Sequence, residues 1–184
     1  MGRPKALLPA GTSTTETFID RLIGTMSSSC SPVLVVLGHS SAEIRAGMKR
    51  ASEAEIVVNE RWAEGQSSSL QRGIAVLPDT AEAVIFTPVD HPHIQRSTFA
   101  ALAAGFAKTG APAIVARYGG RRGHPVLLSR AAAARVAALP PGSPASDVVH
   151  GPDTLYVDVD DRGVAEDIDD PETYRRLLEA GALR

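Results

Sequence analysis

The chain alternates short apolar runs with stretches whose apolar positions recur every three or four residues. Apolar runs that end at glycine or polar residues predict buried strands, here at residues 33–37, 56–58, 83–86, 113–116, 125–128 and 155–157. The helical spacing and helix-start signals predict helices at residues 41–50, 69–77, 99–106, 131–139 and from 171 onward. Strands separated by helices of this length indicate an α/β fold of three layers with a mostly parallel sheet.

Local signals define two of the helix starts. Ser40 and Glu43 have the spacing of a capping box, with Ser40 as the cap. Asp170 followed by Pro171 is typical of a cap and a first helical position. The glycine- and proline-rich stretches at 119–123 and 140–144 are interpreted as loops, so we expect one domain over residues 1–184.

Composition narrows the possible functions. The 184 residues, 43% of them hydrophobic, suffice for one sizeable core. The 19 basic and 21 acidic residues nearly cancel, which argues against bulk binding to nucleic acid or to an anionic membrane. Nothing in the sequence resembles a transmembrane run or a signal peptide. Cys30 is the only cysteine, so we expect no disulfide and a cytoplasmic protein.

Asp90 follows the strong strand predicted at residues 83–86. Ligands of α/β sheets bind at the carboxyl ends of the strands, and a carboxylate there suits Mg²⁺, which prefers oxygen ligands. A loop aspartate that caps the next turn is an equally simple interpretation. His91 and His93 flank a proline at a spacing that makes zinc conceivable, without a defined third ligand.

A second acidic group lies at Asp167 and Asp169. In extended backbone both side chains point away from Ile168, between them. They are either solvated turn carboxylates or part of a metal site with Asp90.

The stretch from Gly65 to Ser69 places a glycine and three serines at a predicted helix start. Free backbone N–H groups and hydroxyls there suit a phosphate or the polar edge of a base, although an ordinary serine cap is the alternative. Trp62, the only tryptophan, either packs over this site or belongs to the core.

Two basic segments complete the candidate chemistry. Arg121 and Arg122 lie in a glycine loop that suits an anionic acceptor, or a solvated basic turn. His124 after them is a structural donor, a phosphate contact or a proton carrier. Near the N-terminus, Lys5 offers a compact ammonium to phosphate oxygens, or is a surface lysine of a terminal segment.

These motifs, in this order, resemble the MobA-like NTP transferases. They are P-K-x-L-L-P at 4–9, V-V-L-G at 35–38, W-x-x-G-x-x-S-S-L-x-x-G at 62–73, D-H-P at 90–92, G-H-P-V at 123–126 and D-I-D-x-P at 167–171. The segment at 62–73 is similar to that of one branch, the molybdenum cofactor cytidylyltransferases.

The resemblance implies a Rossmann-like nucleotidyltransferase fold and transfer of CMP from CTP to a molybdopterin-type molybdenum cofactor, with release of pyrophosphate. It implies Lys5 and Asp90 as catalytic residues, and Mg²⁺ held by Asp90 with Asp169 or Asp167, of which we favour Asp169. The implied nucleotide-binding residues are Arg3, Lys5, Gly65, Ser67, Ser68, Ser69 and Gly73. The implied acceptor-binding residues are Arg122, Gly123 and His124.

The implied partners are CTP or another NTP, the molybdopterin-type acceptor and a molybdoenzyme that receives the cofactor, with no nucleic acid and no membrane. In this family a strand and a glycine-rich turn precede the segment matched at residues 1–9. We therefore expect the natural gene to start further upstream, or the chain to be a truncated product. Three other functions stay open: a nucleotidyltransferase with a different base or acceptor, a non-catalytic nucleotide- or cofactor-binding delivery protein, and a metal-dependent phosphohydrolase.

Overall fold

The structure, a computed structural model, describes residues 3–12, 15–181 and 183. Within these residues the strands are β1 Leu34–Leu37, β2 Glu55–Val58, β3 Ala83–Phe86, β4 Ala113–Tyr118, β5 Arg121–Ser129 and β6 Leu155–Asp158. The α-helices are α1 Phe18–Met26, α2 Ser41–Gly47, α3 Gln66–Ile74, α4 Arg96–Thr109, α5 Arg130–Ala137, α6 Ser146–Val149 and α7 Pro171–Glu179. Short 3₁₀ helices lie at Lys5–Leu7, Ala51–Glu53, Trp62–Glu64 and Arg162–Val164.

The strands form two groups. β1 and β2 pair in parallel, and the other four follow the order β3-β5-β4-β6. β5 runs antiparallel to both of its neighbours, whereas β4 and β6 are parallel. The α/β class predicted from the sequence is confirmed, and β5 is the antiparallel strand within it.

Helices cover both faces of the four-stranded group. Side chains of α3, α5 and α6 pack on one face and those of α4 on the other, which gives the three expected layers. A separate apolar cluster joins α1 and α2 to β1 and to the 3₁₀ helix Lys5–Leu7. No helix within the described residues is both long and apolar enough to cross a membrane.

One predicted helix cap is wrong and another was missed. Ser40 has left-handed backbone, with φ 58°, and its hydroxyl lies 2.9 Å from Nδ1 of His39 instead of capping α2. A capping serine needs extended backbone to turn its oxygen toward the helix N–H groups. The capping box lies instead at Thr17 and Asp20, at the start of α1, a helix that the sequence did not predict. The cap at Asp170 is confirmed by hydrogen bonds from the first turn of α7.

The predicted loop at 119–123 is mostly strand. Gly119 and Gly120 form the turn, with φ of 55° and 79°, and β5 begins immediately afterwards at Arg121. The two glycines permit a tight hairpin between β4 and β5 because they adopt positive φ without a steric penalty. The polar residues Arg121 and Arg122 were assigned to the loop, but they belong to the first part of β5.

Candidate active site

A lysine from the N-terminal segment lies between two carboxylates. Nζ of Lys5 is 2.7 Å from Oδ1 of Asp169 and 3.6 Å from Oδ2 of Asp90. Asp90 follows the carboxyl end of β3, where the sequence predicted it. The structure therefore brings together three predicted site residues from the two ends and the middle of the chain.

Ile168 holds the acidic segment in place. Its side chain is fully buried, and its N–H donates to the carbonyl oxygen of Asp90 at 2.9 Å. The exposed carboxylates on either side then differ in their contacts. Asp169 reaches Lys5, whereas Asp167 lines a large cleft beside the site.

The two aspartates that face Lys5 have different environments. The hydrogen bond from Lys5 lowers the pKa of Asp169, so this carboxylate is ionised at neutral pH. Oδ1 of Asp90 is buried and has no hydrogen-bond partner among the described residues. Burying a polar atom without a partner is unfavourable, and a cation or a ligand donor would satisfy it.

A buried asparagine fixes the start of α3. Asn59, 2% exposed, donates from Nδ2 to the hydroxyls of Ser68 and Ser69 at 2.9 and 3.0 Å. Its Oδ1 accepts from the N–H of Arg61 at 3.0 Å. Gly65, immediately before α3, has φ 99°, which a residue with a side chain adopts only with strain. The sequence analysis did not single out Asn59, and its position after an apolar strand is the only sequence signal of this role.

The serine run divides into two kinds of residue. Ser67 and Ser69 line the cleft. Ser68 is buried, and its hydroxyl lies within hydrogen-bond distance of protein carbonyl oxygens. We therefore revise the predicted nucleotide contact at Ser68 to a positioning role. Gly73 lines the cleft as well, and a Cβ there would lie 3.2 Å from Cγ2 of Val36, so close packing of α3 on β1 also favours glycine at this position.

Trp62 is not part of the core. Its side chain is 45% exposed, and its ring meets that of His39 edge to face at a centroid distance of 5.0 Å. The aromatic pair lies next to Gly38, at the carboxyl end of β1.

β5 carries the predicted acceptor-binding group. Arg121 and Arg122 are exposed at its start, and residues 121–124 line the same cleft as Ser67. Gly123 approaches another backbone so closely that a Cβ there would lie 1.7 Å from the carbonyl oxygen of Val164. Only glycine fits this position, and its role is therefore at least partly one of packing.

His124 has a half-buried ring that is uncharged at neutral pH. Its centroid lies 5.2 Å from that of His91 and 6.0 Å from that of Phe86. Burial, with a smaller contribution from His91, lowers the pKa of His124 to about 4. Nδ1 of His124 has no hydrogen-bond partner among the described residues.

The two histidines of the conceivable zinc site have separate surroundings. Nδ1 of His91 lies 2.9 Å from the carbonyl oxygen of Gly163. A carbonyl only accepts, so Nδ1 of His91 carries the proton. Burial lowers the pKa of His93. Across the described ranges, no three or more His, Cys, Asp or Glu side chains group together in a way that could hold a metal ion.

Sequence reasoning missed Asp161, which supports this region. It is 2% exposed and accepts hydrogen bonds from the N–H groups of Gln95 and Gly163 at 2.8 and 3.0 Å, and from the hydroxyl of Thr98. These bonds fix the turn whose carbonyl contacts His91. The only sequence signal is that Asp161 is an acidic residue shortly after β6. Asp158 and Asp160 have nearly the same position, so this signal does not single out Asp161.

The cleft has a volume of about 1350 Å³. Pockets for small ligands usually have roughly 300–1,000 Å³, so this cleft exceeds what one nucleotide needs. Asp90 and Asp167 lie in its wall, together with the residues of α3 and β5 described above. Arg3 is exposed, lies near Tyr174 and is not part of the wall.

Comparison with known proteins gives a family for the chain. The sequence profile of the MobA-like NTP transferase domain matches residues 1–155. No curated protein sequence matches the chain significantly.

Solved structures share the fold over nearly the whole chain. The Rv0371c homologue from Mycobacterium sp. strain JC1 is 27% identical, with a TM-score of 0.80 over 100% of this chain and 90% of that one. Rv0371C from Mycobacterium tuberculosis H37Rv in complex with manganese is 25% identical, with a TM-score of 0.76 over 96% and 92%. Molybdopterin-guanine dinucleotide biosynthesis protein A from Archaeoglobus fulgidus, at 13% identity, has a TM-score of 0.65 over 100% and 93% and shows the fold alone.

Proposed function

The chain belongs to the MobA-like NTP transferase family, and from this premise we propose that it transfers CMP from CTP to a molybdopterin-type molybdenum cofactor, releasing pyrophosphate. The observation that carries the proposal is the contact of Lys5 with Asp90 and Asp169 beside the cleft. The choice of CTP and of the acceptor rests on the resemblance of residues 62–73 to the cytidylyltransferase branch.

Lys5 supplies the positive charge for the triphosphate. Its ammonium has three donors, of which the structure engages one strongly, with Asp169. Phosphate oxygens would share or replace that contact. A lysine held in position beforehand stabilises charge that develops during in-line attack, and this needs no covalent intermediate.

A divalent cation fits the same place. Oδ1 of Asp90 is a buried acceptor without a partner in the described chain, and Asp169 and Asp167 lie on the adjoining segment. We propose that Asp90 and Asp169, or Asp167, hold Mg²⁺. When bound, the ion would neutralise phosphate charge and act as a Lewis acid. The Rv0371C complex contains manganese, so both cations belong in the assay.

The two remaining parts of the cleft have complementary chemistry. The start of α3, with Gly65, Ser67 and Ser69, offers hydroxyls and backbone N–H groups to the nucleotide. On β5, Arg122 offers a guanidinium to an anionic acceptor, and the low pKa of His124 keeps that ring uncharged there. We propose that the nucleotide occupies the α3 side and the acceptor the β5 side.

The test is pyrophosphate release by the whole chain with CTP, GTP or ATP, each with Mg²⁺ or Mn²⁺ and a molybdopterin source. We expect release that depends on the acceptor and is fastest with CTP. Faster pyrophosphate release with GTP would show that the enzyme prefers guanine to cytosine as the base of its nucleotide. Release of inorganic phosphate without an acceptor would assign a phosphohydrolase, and tight binding without turnover would assign a delivery protein. Pull-down of a molybdoenzyme from cytoplasmic extract would test the proposed recipient.

A further inference from the structure

Trp62 exposes a large apolar ring to solvent. Its side chain is 45% exposed, and in the part of the chain that the structure describes only Val58 is a large hydrophobic residue as exposed as this. Exposure alone does not indicate a ligand, because single apolar side chains are common on protein surfaces. What distinguishes Trp62 is the support of its ring and its place in the fold.

The backbone that carries Trp62 is held at several points. The N–H of Gly65 donates to the carbonyl oxygen of Trp62 at 3.2 Å and closes the 3₁₀ helix that Trp62 begins. Arg61, immediately before it, donates its N–H to Oδ1 of Asn59 at 3.0 Å, and its carbonyl oxygen lies 2.9 Å from the hydroxyl of Ser68. An aromatic side chain with two rotatable bonds on such a backbone loses little conformational entropy when a ligand binds.

His39 holds the indole ring of Trp62 from another segment. The two ring centroids lie 5.0 Å apart with their planes at 71°, which is an edge-to-face contact. The imidazole is itself held, since Nδ1 of His39 lies 2.9 Å from the hydroxyl of Ser40. Ser40 has left-handed backbone with φ 58°, and strained residues of this kind are enriched at ligand-binding sites.

The ring pair lies at the edge of the sheet where ligands bind. Gly38 follows β1 directly, and a Cβ there would lie 2.5 Å from Cβ of Trp62, so glycine lets the indole lie against the strand end. Ligands of α/β sheets bind at the carboxyl ends of strands. Through Gly65, Trp62 also adjoins the start of α3, where Ser67 and Ser69 line the cleft.

The charges next to the ring do not favour phosphate. Residues 60–65 contain two acidic side chains, Glu60 and Glu64, and one basic side chain, Arg61. Nη1 of Arg61 lies 3.4 Å from Oε2 of Glu64, so its charge is compensated within the segment. A flat, uncharged heteroaromatic ring suits this environment, because nucleobases stack on exposed aromatic side chains.

We propose that Trp62, held by His39, is a stacking platform for the base of the nucleotide. The inference rests on the proposed function, because it requires a nucleotide at the α3 side of the cleft. Trp62 would contact the face of the base, while Ser67 and Ser69 contact its polar edge. Stacking tolerates any base, so the platform would contribute affinity for every nucleoside and leave the choice of base to the groups at its edge.

Fluorescence tests the contact directly, because Trp62 is the only tryptophan of the chain. The full chain is titrated with cytidine, CTP and tripolyphosphate in the presence of Mg²⁺, and free tryptophan corrects for light that the base absorbs. We expect cytidine and CTP to quench the emission of Trp62, because a base stacked on the indole quenches its excited state. Tripolyphosphate should bind and leave the emission unchanged, because it has no base.

Two substitutions separate an aromatic face from apolar volume. Trp62→Leu should weaken binding of cytidine and CTP by about 5- to 150-fold, which corresponds to about 1–3 kcal/mol for one stacked base. Trp62→Phe keeps a flat ring and should lose much less. Calorimetric titration measures both variants, and neither should change the affinity for tripolyphosphate. Val58→Ala, at the equally exposed apolar residue, is the matched control.

The outcomes distinguish the platform from the proposed function. If CTP binds without changing the emission of Trp62, and Trp62→Leu binds it as tightly as the wild type, the platform is wrong and the proposed function stands. Equal losses of cytidine and tripolyphosphate binding in Trp62→Leu would show an effect on folding and would also overturn the platform. If none of CTP, GTP and ATP binds to the wild type, the proposed function is wrong, and the platform is overturned with it.

Discussion

Nζ of Lys5 and Oδ1 of Asp169 lie 2.7 Å apart although the two residues are 164 positions apart in the sequence. The contact joins the N-terminal 3₁₀ helix to the segment before α7, and both lie beside Asp90. Because the pair is exposed to solvent, it adds little to stability. Its importance is positional, since it places an ammonium where the proposed triphosphate would need one.

Lys5→Ala should weaken binding of CTP much more than binding of cytidine. The lysine is proposed to contact phosphate, so a ligand without phosphates loses nothing when the ammonium is removed. A charge-assisted hydrogen bond of about 1.5–3 kcal/mol corresponds to roughly a 10- to 150-fold loss of CTP affinity. Calorimetric titration of both ligands checks this, with Lys108→Ala on the exposed end of α4 as the control. Equal losses for CTP and cytidine would contradict the assignment.

Asp90→Asn should abolish metal-dependent turnover while leaving the fold intact. Asparagine keeps the shape of the side chain but removes the negative charge that a divalent cation needs. We expect kcat to fall by about 100-fold or more, as for removal of one preorganised electrostatic group. Asp160→Asn, at an exposed aspartate that forms no ion pair with Lys5, is the matched control. Turnover near the wild-type rate, with unchanged dependence on Mg²⁺, would exclude a metal role for Asp90.

Ser67→Ala and Ser68→Ala should separate binding from stability. Ser68 is buried within a network that includes Asn59, so removing its hydroxyl leaves polar groups unpaired and should cost about 1–3 kcal/mol of unfolding free energy. Ser67 lines the cleft, so its loss should reduce CTP affinity and leave stability nearly unchanged. Urea unfolding and CTP titration of both variants check the pair. If only Ser67→Ala lost stability, the prediction would be wrong, and Ser67 rather than Ser68 would have the structural role.

The sequence predicts best what depends on neighbouring residues. The strand before Asp90 and the cap at Asp170 were correct because each depends on a local pattern. The cap at Ser40 failed because the pattern does not reveal a left-handed backbone. The contact between Lys5 and Asp169 joins segments that are far apart in the sequence. A local sequence pattern therefore cannot predict it.

Long-range support of the site was equally invisible in the sequence. Asn59 and Asp161 look like ordinary polar residues after strands, but the fold buries both and surrounds them with backbone N–H groups or hydroxyls. Family resemblance supplied the order of the motifs. It could not show that Ser68 faces the protein while Ser67 faces the cleft, because both belong to one serine run.

The half-buried ring of His124 should make the protein less stable as the pH falls below neutrality. In the fold its pKa is lowered to about 4 from the ordinary value of 6.5, chiefly by burial. Between these values the unfolded chain binds the proton and the folded chain does not, so stability decreases as the pH falls from 6.5 toward 4. At pH 5 this single group accounts for about 2 kcal/mol.

Urea unfolding of the wild type and of His124→Gln at pH 7.5, 6 and 5 measures the effect. Glutamine cannot take up the proton, so the variant should lose less stability than the wild type over this range, whatever its stability at pH 7.5. His39→Gln, at an exposed histidine, is the matched control. If wild type and His124→Gln lose the same amount of stability between pH 7.5 and pH 5, the ring of His124 does not stay uncharged in the fold, and its proposed place beside the acceptor would need another explanation.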